Sequence, residues 1–539
     1  MSNSTLSDKN EEKKAAYSED PFKLIDDEGG YIEQQDSFDQ PPTTKWELWS
    51  YYLYYNGNNG YTIYSFMPLI LQYLAYRGGY NPETPNIRGC DMLDTSKPCN
   101  VAWGNSPNGI PVSSMLLYVQ AIAFSIQFLL FTSFGSLADY GQWNRYILLG
   151  ATIIGCVFQG LPIVLINDDG THWNVMMAFM IIGLISYGTS LVFYAAAFPN
   201  LSDNLPIVLR AKMNQNIPEA ERQQVAEQWR NQVSAVSTTF SNIGFLIVSG
   251  VLSGVAFLSW EGKYDFPEGV SHTLGNAPIY NYISTLACAC FWAVNAVPYF
   301  FLTPRGRKGP SLPPNTSYLT FGWKSIVVAL KEARKLRYLF MYIFAYFIFS
   351  DAVSTIGQIQ TIIQGELTAF SAQQNAIFGF ITAVTSIIGC LFFLWLNRRF
   401  KIRTKTSLLM IVVLTGVVPV WGCFGIHFDN FGIKTNWELW VLNVWSGLFT
   451  APIWAWQQTM LAELVPKGKE NLFFGLFGVV NKASSWIGPV VIGAITQSTA
   501  NIWMGWPFVL GLFILATIII CFIDVDKAKL ELVEYEKAE

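Results

Sequence analysis

The chain has 539 residues, of which 51% are hydrophobic, 15% aromatic and only 13% charged, and its formal net charge is −4. So few charges cannot coat a soluble globule, which carries roughly twice this share, and the acidic balance excludes a basic nucleic-acid binder. The composition is that of an all-α or β-barrel membrane protein, and the spacing of the apolar runs decides between the two.

Residues 1–45 carry 11 acidic side chains against five Lys and few branched aliphatics. Such a segment is expected to be disordered, and without an apolar stretch it is not a cleaved signal peptide. Within it, Asp20-Pro21-Phe22-Lys23-Leu24-Ile25 has the acidic residue and Leu-Ile pair of a dileucine signal. Asp20, Leu24 and Ile25 are therefore a candidate sorting motif, read by an adaptor protein. From Trp46 to about Ile523 the sequence is apolar, in long runs that do not alternate. They are too long for barrel strands and suit helices of roughly 20 residues. Twelve spans are predicted: 47–73, 113–137, 145–166, 173–198, 233–258, 280–302, 338–360, 374–396, 407–427, 437–460, 472–496 and 503–523. The first is the most polar, with Tyr51 to Gly60 reading YYLYYNGNNG.

The loop at 74–112 is rich in Pro, Gly and Asn and holds Cys90 and Cys99, whose separation permits a disulfide in an oxidising compartment. The other six cysteines fall within spans, at no metal-ligand spacing, and read as small apolar packers. After the second span, Gly135-Ser136-Leu137-Ala138-Asp139 precedes Arg145. In the 199–232 segment, Pro218 opens a short polar helical pattern. Neither a zinc motif, a nucleophile elbow, a P-loop nor a dinucleotide fingerprint is present, so no metal, no cofactor and no enzyme activity are expected.

Charge gives the orientation. With the N-terminus placed in the cytosol, 28 of the 34 Lys and Arg fall in cytosolic segments and five in the opposite loops, while Lys482 lies within a span. Both termini are expected in the cytosol, and the sequons at Asn3, Asn200 and Asn315 then stay unglycosylated. A basic segment, 303–337, separates a first half, 46–302, from a second, 338–523, with 524–539 as a C-terminal tail. Six plus six spans about a cytosolic linker resemble the major facilitator superfamily, whose halves are pseudo-symmetric repeats. Gly135, Asp139 and Arg145 resemble that superfamily's loop motif, in which small residues let helices approach and the carboxylate holds a helix end. Tyr140 departs from it, standing where the family usually has Arg.

Ionisable groups inside a span cost ~3 kcal/mol at mid-bilayer on insertion scales and mark function or pairing. Asp351, Thr355 and Gln358 share one face of the seventh span; Asp351 is a candidate proton-binding group, or else a carboxyl bonded to a neighbouring helix. Lys482 reads as a partner for a carboxylate across the bundle or as a snorkelling stem, a structural role ahead of substrate contact. In this superfamily the first, fourth, seventh and tenth helices border the central cavity. Here they offer Asn56, Asn58 and Asn59, then Tyr187, then the Asp351 face, then Trp454, Gln457 and Gln458. Amides and aromatics without a fixed charge suit a small zwitterion or neutral solute. Each of these residues has the alternative of bonding helix to helix.

The run Ala462-Glu463-Leu464-Val465-Pro466-Lys467-Gly468-Lys469-Glu470-Asn471, continued by Lys482-Ala483-Ser484-Ser485-Trp486-Ile487-Gly488-Pro489, resembles the signature of one major facilitator family. That is the autophagy-related family typified by the fungal vacuolar amino-acid effluxer. Phe347 to Ile356 is similar to its seventh-helix motif, with Ala352 where Gly is usual. The resemblance implies a vacuolar multi-pass transporter, monomeric in the bilayer. It would return leucine and other large neutral amino acids to the cytosol by alternating access, with proton coupling as an added expectation. A carrier of a sugar or peptide in the same fold, and a non-transporting membrane receptor in autophagy, are the alternatives.

Overall fold

Thr44 starts the first helix: its hydroxyl accepts the Glu47 N–H at 3.2 Å, satisfying one of the orphan donors of the first turn. The computed structural model describes residues 41–90, 98–104, 108–134, 143–214, 218–257, 277–303, 318–367, 372–400, 402–466 and 470–538. Helix α1 (Lys45–Gly57) ends at Asn58, and the chain turns at Gly60, whose φ is 79°. It resumes as a π-helical turn, Thr62–Phe66, that leads into α2 (Met67–Gly78). The first span is thus two helices in line. Its polarity has a physical account, because the phenols face inward. Tyr51 stacks on Tyr194 with centroids 4.2 Å apart, Tyr54 bonds Thr152 at 2.7 Å, and Tyr194 bonds Ser237 at 2.6 Å.

A short antiparallel pair, β1 (Asn100–Val101) and β2 (Ile110–Pro111), lies in the following loop, where Cys90 and Cys99 form a disulfide with Cα atoms 5.9 Å apart. Then come α3 (Val112–Phe134), α4 (Trp143–Gly160, extended by a 3₁₀ turn to Leu165), α5 (Trp173–Asp203), α6 (Pro206–Met213), α7 (Glu219–Val255) and α8 (Ala277–Leu302). The polar helix expected to be short and separate after Pro218 instead runs on without a break into the fifth span, since nothing between Glu219 and Val255 stops it. After the linker helix α9 (Tyr318–Lys335), the second half comprises α10 (Arg337–Leu367), α11 (Ala372–Phe400), α12 (Thr404–Phe424) and α13 (Asn436–Trp445). It continues through a π-helical turn (Ser446–Thr450) to α14 (Ile453–Leu464), α15 (Glu470–Ser484), α16 (Ile487–Thr499), a 3₁₀ turn (Ile502–Gly505) and α17 (Trp506–Phe522). A last helix, α18 (Val525–Ala538), follows. Asp524 caps it, and the Lys527 N–H holds its carboxyl below the usual range.

Among the described residues, nine helices are long and apolar enough to cross a membrane. The first, tenth and eleventh expected spans follow paths built of two shorter helices, so the count of twelve rests on reading each broken path as one crossing. The seventh helix is longer than the 338–360 expected, because its last turns are held by α2: Gln72 Nε2 donates to the Ile362 carbonyl at 3.1 Å, and Gly365 lies against the same amide.

Two halves result. In the first, α4 packs on α5 and α1 on α8; in the second, α17 is wedged between α10 and α12. They meet where the 74–112 loop lies, here termed the loop face, through α2 with α10, α16 with α3 and α7 with α11. Tyr118 donates to Gln497 Oε1 at 2.7 Å across this seam, and Gly493 admits the Tyr118 ring. Toward the opposite face, which carries Lys45 and Asp524, α1 packs mainly within its own half and α14 within the other, while α15 packs on α3 across the seam. There α9 ties them together: Trp323 Nε1 donates to Ser133 Oγ at 3.2 Å and its ring meets Phe128 edge-on.

Candidate functional site: the breaks in the first and eleventh spans

Where α1 stops, a narrow pocket with room for about one water molecule is lined by Asn58, Asn59, Gly60, Gln159, Tyr187 and Trp292 among others. Gly60 is required here twice, for its positive φ and because a Cβ would meet the Tyr187 hydroxyl. Asn58 is buried and donates to Ser190 Oγ at 2.8 Å, while its Oδ1 has no partner. Trp292, equally buried, has no acceptor for its indole N–H. An unpartnered acceptor and an unpartnered donor, both sealed from solvent here, are costly to bury and become available for bonding when the break opens. Asn59 is turned back on the chain: it donates to the Asn56 carbonyl at 3.2 Å and accepts from the Tyr61 N–H at 3.1 Å. Asn56 points away from the pocket, donates to the Phe240 carbonyl at 2.8 Å, and bonds the first span to the fifth.

The second polar centre is the gap between α15 and α16. Asp351, 3% exposed, accepts the Gly488 N–H at 3.1 Å, so its carboxylate caps the first turn of the half-helix α16. Thr355, one turn on, touches Gly488 so closely that no side chain fits there. Gln358 is also buried, and its Oε1 is unpartnered. Of the tenth-span candidates, Gln457 is buried and its main-chain carbonyl accepts the Tyr342 hydroxyl at 2.6 Å. Trp454 and Gln458 instead share an exposed face of α14. Lys482 on α15 places its ammonium 5.7 Å from the centroid of Phe124 in the other half.

Arg145 binds the end of α8, donating to the carbonyls of Thr303, at 2.8 Å, and Phe300. Gly135 and Asp139, like Asp20, Leu24 and Ile25, lie outside the described residues. The described residues contain no group of three or more His, Cys, Asp or Glu placed to hold a metal.

Two residues were not anticipated. Trp292 looks like an ordinary core aromatic, and only its place opposite the Asn-Asn-Gly break distinguishes it. Glu366 is buried in the loop-face seam, close to Ser113 and Tyr76 of the other half. Its signal was in the sequence: residues 351, 355, 358, 362 and 366 continue one helical stripe. Ending the span at 360 left Glu366 in a loop.

The profile of the family described as "Vacuole effluxer Atg22 like" matches residues 43–533. Autophagy-related protein 22 of Yarrowia lipolytica is 26% identical over 80% of this chain and 79% of its own. That of Vanderwaltozyma polyspora is 24% identical over 96% and 99%. Among solved structures, a bacterial homologue of the iron transporter ferroportin in an inward-facing state aligns with TM-score 0.52 at 13% identity, over 88% of this chain and 97% of that one. A POT family transporter in complex with 5-aminolevulinic acid aligns with TM-score 0.54 at 12% identity, over 90% and 98%. These likenesses carry the fold: an all-α membrane protein of the major facilitator type.

Proposed function

This chain belongs to the Atg22-like vacuole effluxer family and is a membrane transporter, and from that premise we propose that it carries neutral amino acids, leucine and other large ones foremost, out of the vacuole by alternating access. The observation that carries the choice of cargo is the pocket at the first-span break. Asn58 Oδ1 and Trp292 Nε1 give one acceptor and one donor, buried and unfilled, without a formal charge. With the break open, such a set bonds a small polar head. The exposed Trp454 and Gln458 add an apolar plate and an amide on the tenth span.

Both termini face the cytosol in this reading, so the loop face looks into the lumen. The sorting residues Asp20, Leu24 and Ile25 supply the vacuolar address through an adaptor. Proton coupling is assigned to Asp351, with a route different from direct substrate contact. A proton on this carboxyl weakens the cap on α16 and so acts on the break in the eleventh span. Binding tests the cargo: purified protein is melted with single amino acids, sugars and dipeptides. Leucine is expected to raise the melting midpoint and glucose to leave it unchanged. Stabilisation by a sugar or dipeptide alone would refute the amino-acid reading.

A further inference from the structure

Lys482 lies about 12 residues into the 470–499 path, roughly 18 Å along the axis from its start and farther from its end. Four methylenes cannot carry an ammonium from that depth to either interface, so snorkelling does not account for it. The preceding residue fixes its direction. Asn481 donates to the Tyr346 hydroxyl at 2.9 Å and to Ser350 Oγ at 2.6 Å, which holds that face of α15 to α10. Lys482, the next residue round the helix, reaches away from its own half to the face of Phe124 on α3. Its amine therefore sits in the seam between the halves.

Among the described residues, that ammonium makes no ion pair and no hydrogen bond, and it faces the Phe124 ring. The other charge in this layer is committed elsewhere, because Asp351 caps α16 through Gly488. Three unfilled donors on a half-buried cation are a costly arrangement unless something arrives to fill them, and one ring face compensates only in part.

We propose that Lys482 is the carboxylate-binding residue of the transport site, receiving the carboxylate of the solute that enters between the halves. Its charge then sets specificity for amino acids over their neutral amides and esters. The inference rests on amino acids being the cargo. A carboxylate on Lys482 is drawn off Phe124 or bound beside it, so the same ammonium contacts both halves through the cycle.

The test uses full-length protein in liposomes, with labelled leucine in counterflow and unlabelled leucine or leucinamide as competitor. Wild type is expected to prefer leucine, and Lys482→Met to raise the leucine KM about ten- to a hundredfold and to lose the preference. Lys482→Arg should keep it. The second readout is stability. Replacing an uncompensated cation by nearly isosteric Met should raise the melting midpoint, whereas a structural role predicts a fall. Leucine counterflow in which Lys482→Met still rejects leucinamide overturns this inference alone, as does a lowered midpoint with the preference intact. Absence of leucine counterflow in wild type overturns the amino-acid reading and this inference with it.

Discussion

At the scale of single residues, Asp351 does two things that mutation can separate. As a hydrogen-bond acceptor it holds the Gly488 N–H; as an acid it can carry a proton. Asp351→Asn keeps the acceptor and removes the acid, so the protein should melt near the wild-type temperature and lose the pH dependence of leucine efflux. Asp351→Ala removes both and leaves a buried N–H without a partner, a loss of about 1–3 kcal/mol of stability. Efflux by Asp351→Asn that responds to pH as wild type does would remove coupling from this carboxyl. The sequence made Asp351 conspicuous because a carboxyl within a span is rare, but it could not show what the carboxyl touches. Gly488 is 137 residues away, and only the folded half brings the two together. Asn56 and Asn58 illustrate the same limit: two residues apart on one helix, one bonds the fifth span and the other faces the pocket.

Among the helices, the apolar runs located most of the spans because hydrophobic length is a direct physical requirement of the bilayer. What they did not reveal is that three paths are interrupted. A break needs only a few residues, such as Asn58-Asn59-Gly60 or Ser485-Trp486, and hydropathy over some twenty residues averages them away. The π-helical turns at Thr62–Phe66 and Ser446–Thr450 are each followed two residues on by a proline, Pro68 and Pro452, a mark too local for a hydropathy average to show. The first break should be sensitive to a single methyl. Gly60→Ala places a Cβ at positive φ and against Tyr187, which should cost about 1–2 kcal/mol of stability and weaken leucine binding more than it weakens folding. Melting with and without leucine measures both. A variant that melts lower but keeps its full shift with leucine would dissociate the break from the site.

For the whole molecule, the two-half plan was legible from the basic linker and the sorting of Lys and Arg, whereas the seam by which the halves meet was not, since it depends on side chains far apart in the chain. Their contact at the loop face uses small residues: Gly493 under Tyr118 and Gly365 under Gln72. Gly493→Val should wedge this seam and shift the population toward a lumen-open form. A cysteine at position 114, buried beside the seam on α3, should then react with an impermeant maleimide from the loop face, compared with the same cysteine in the unwedged chain. Equal labelling of the two would mean that this seam is not the gate.

The account stands most directly on counterflow. Purified protein in liposomes loaded with unlabelled leucine should accumulate labelled leucine transiently, and loading with glucose should abolish the signal. Asn58→Ala should reduce the signal strongly while the protein stays folded. Wild-type liposomes that show no more leucine exchange than empty ones would contradict the central claim.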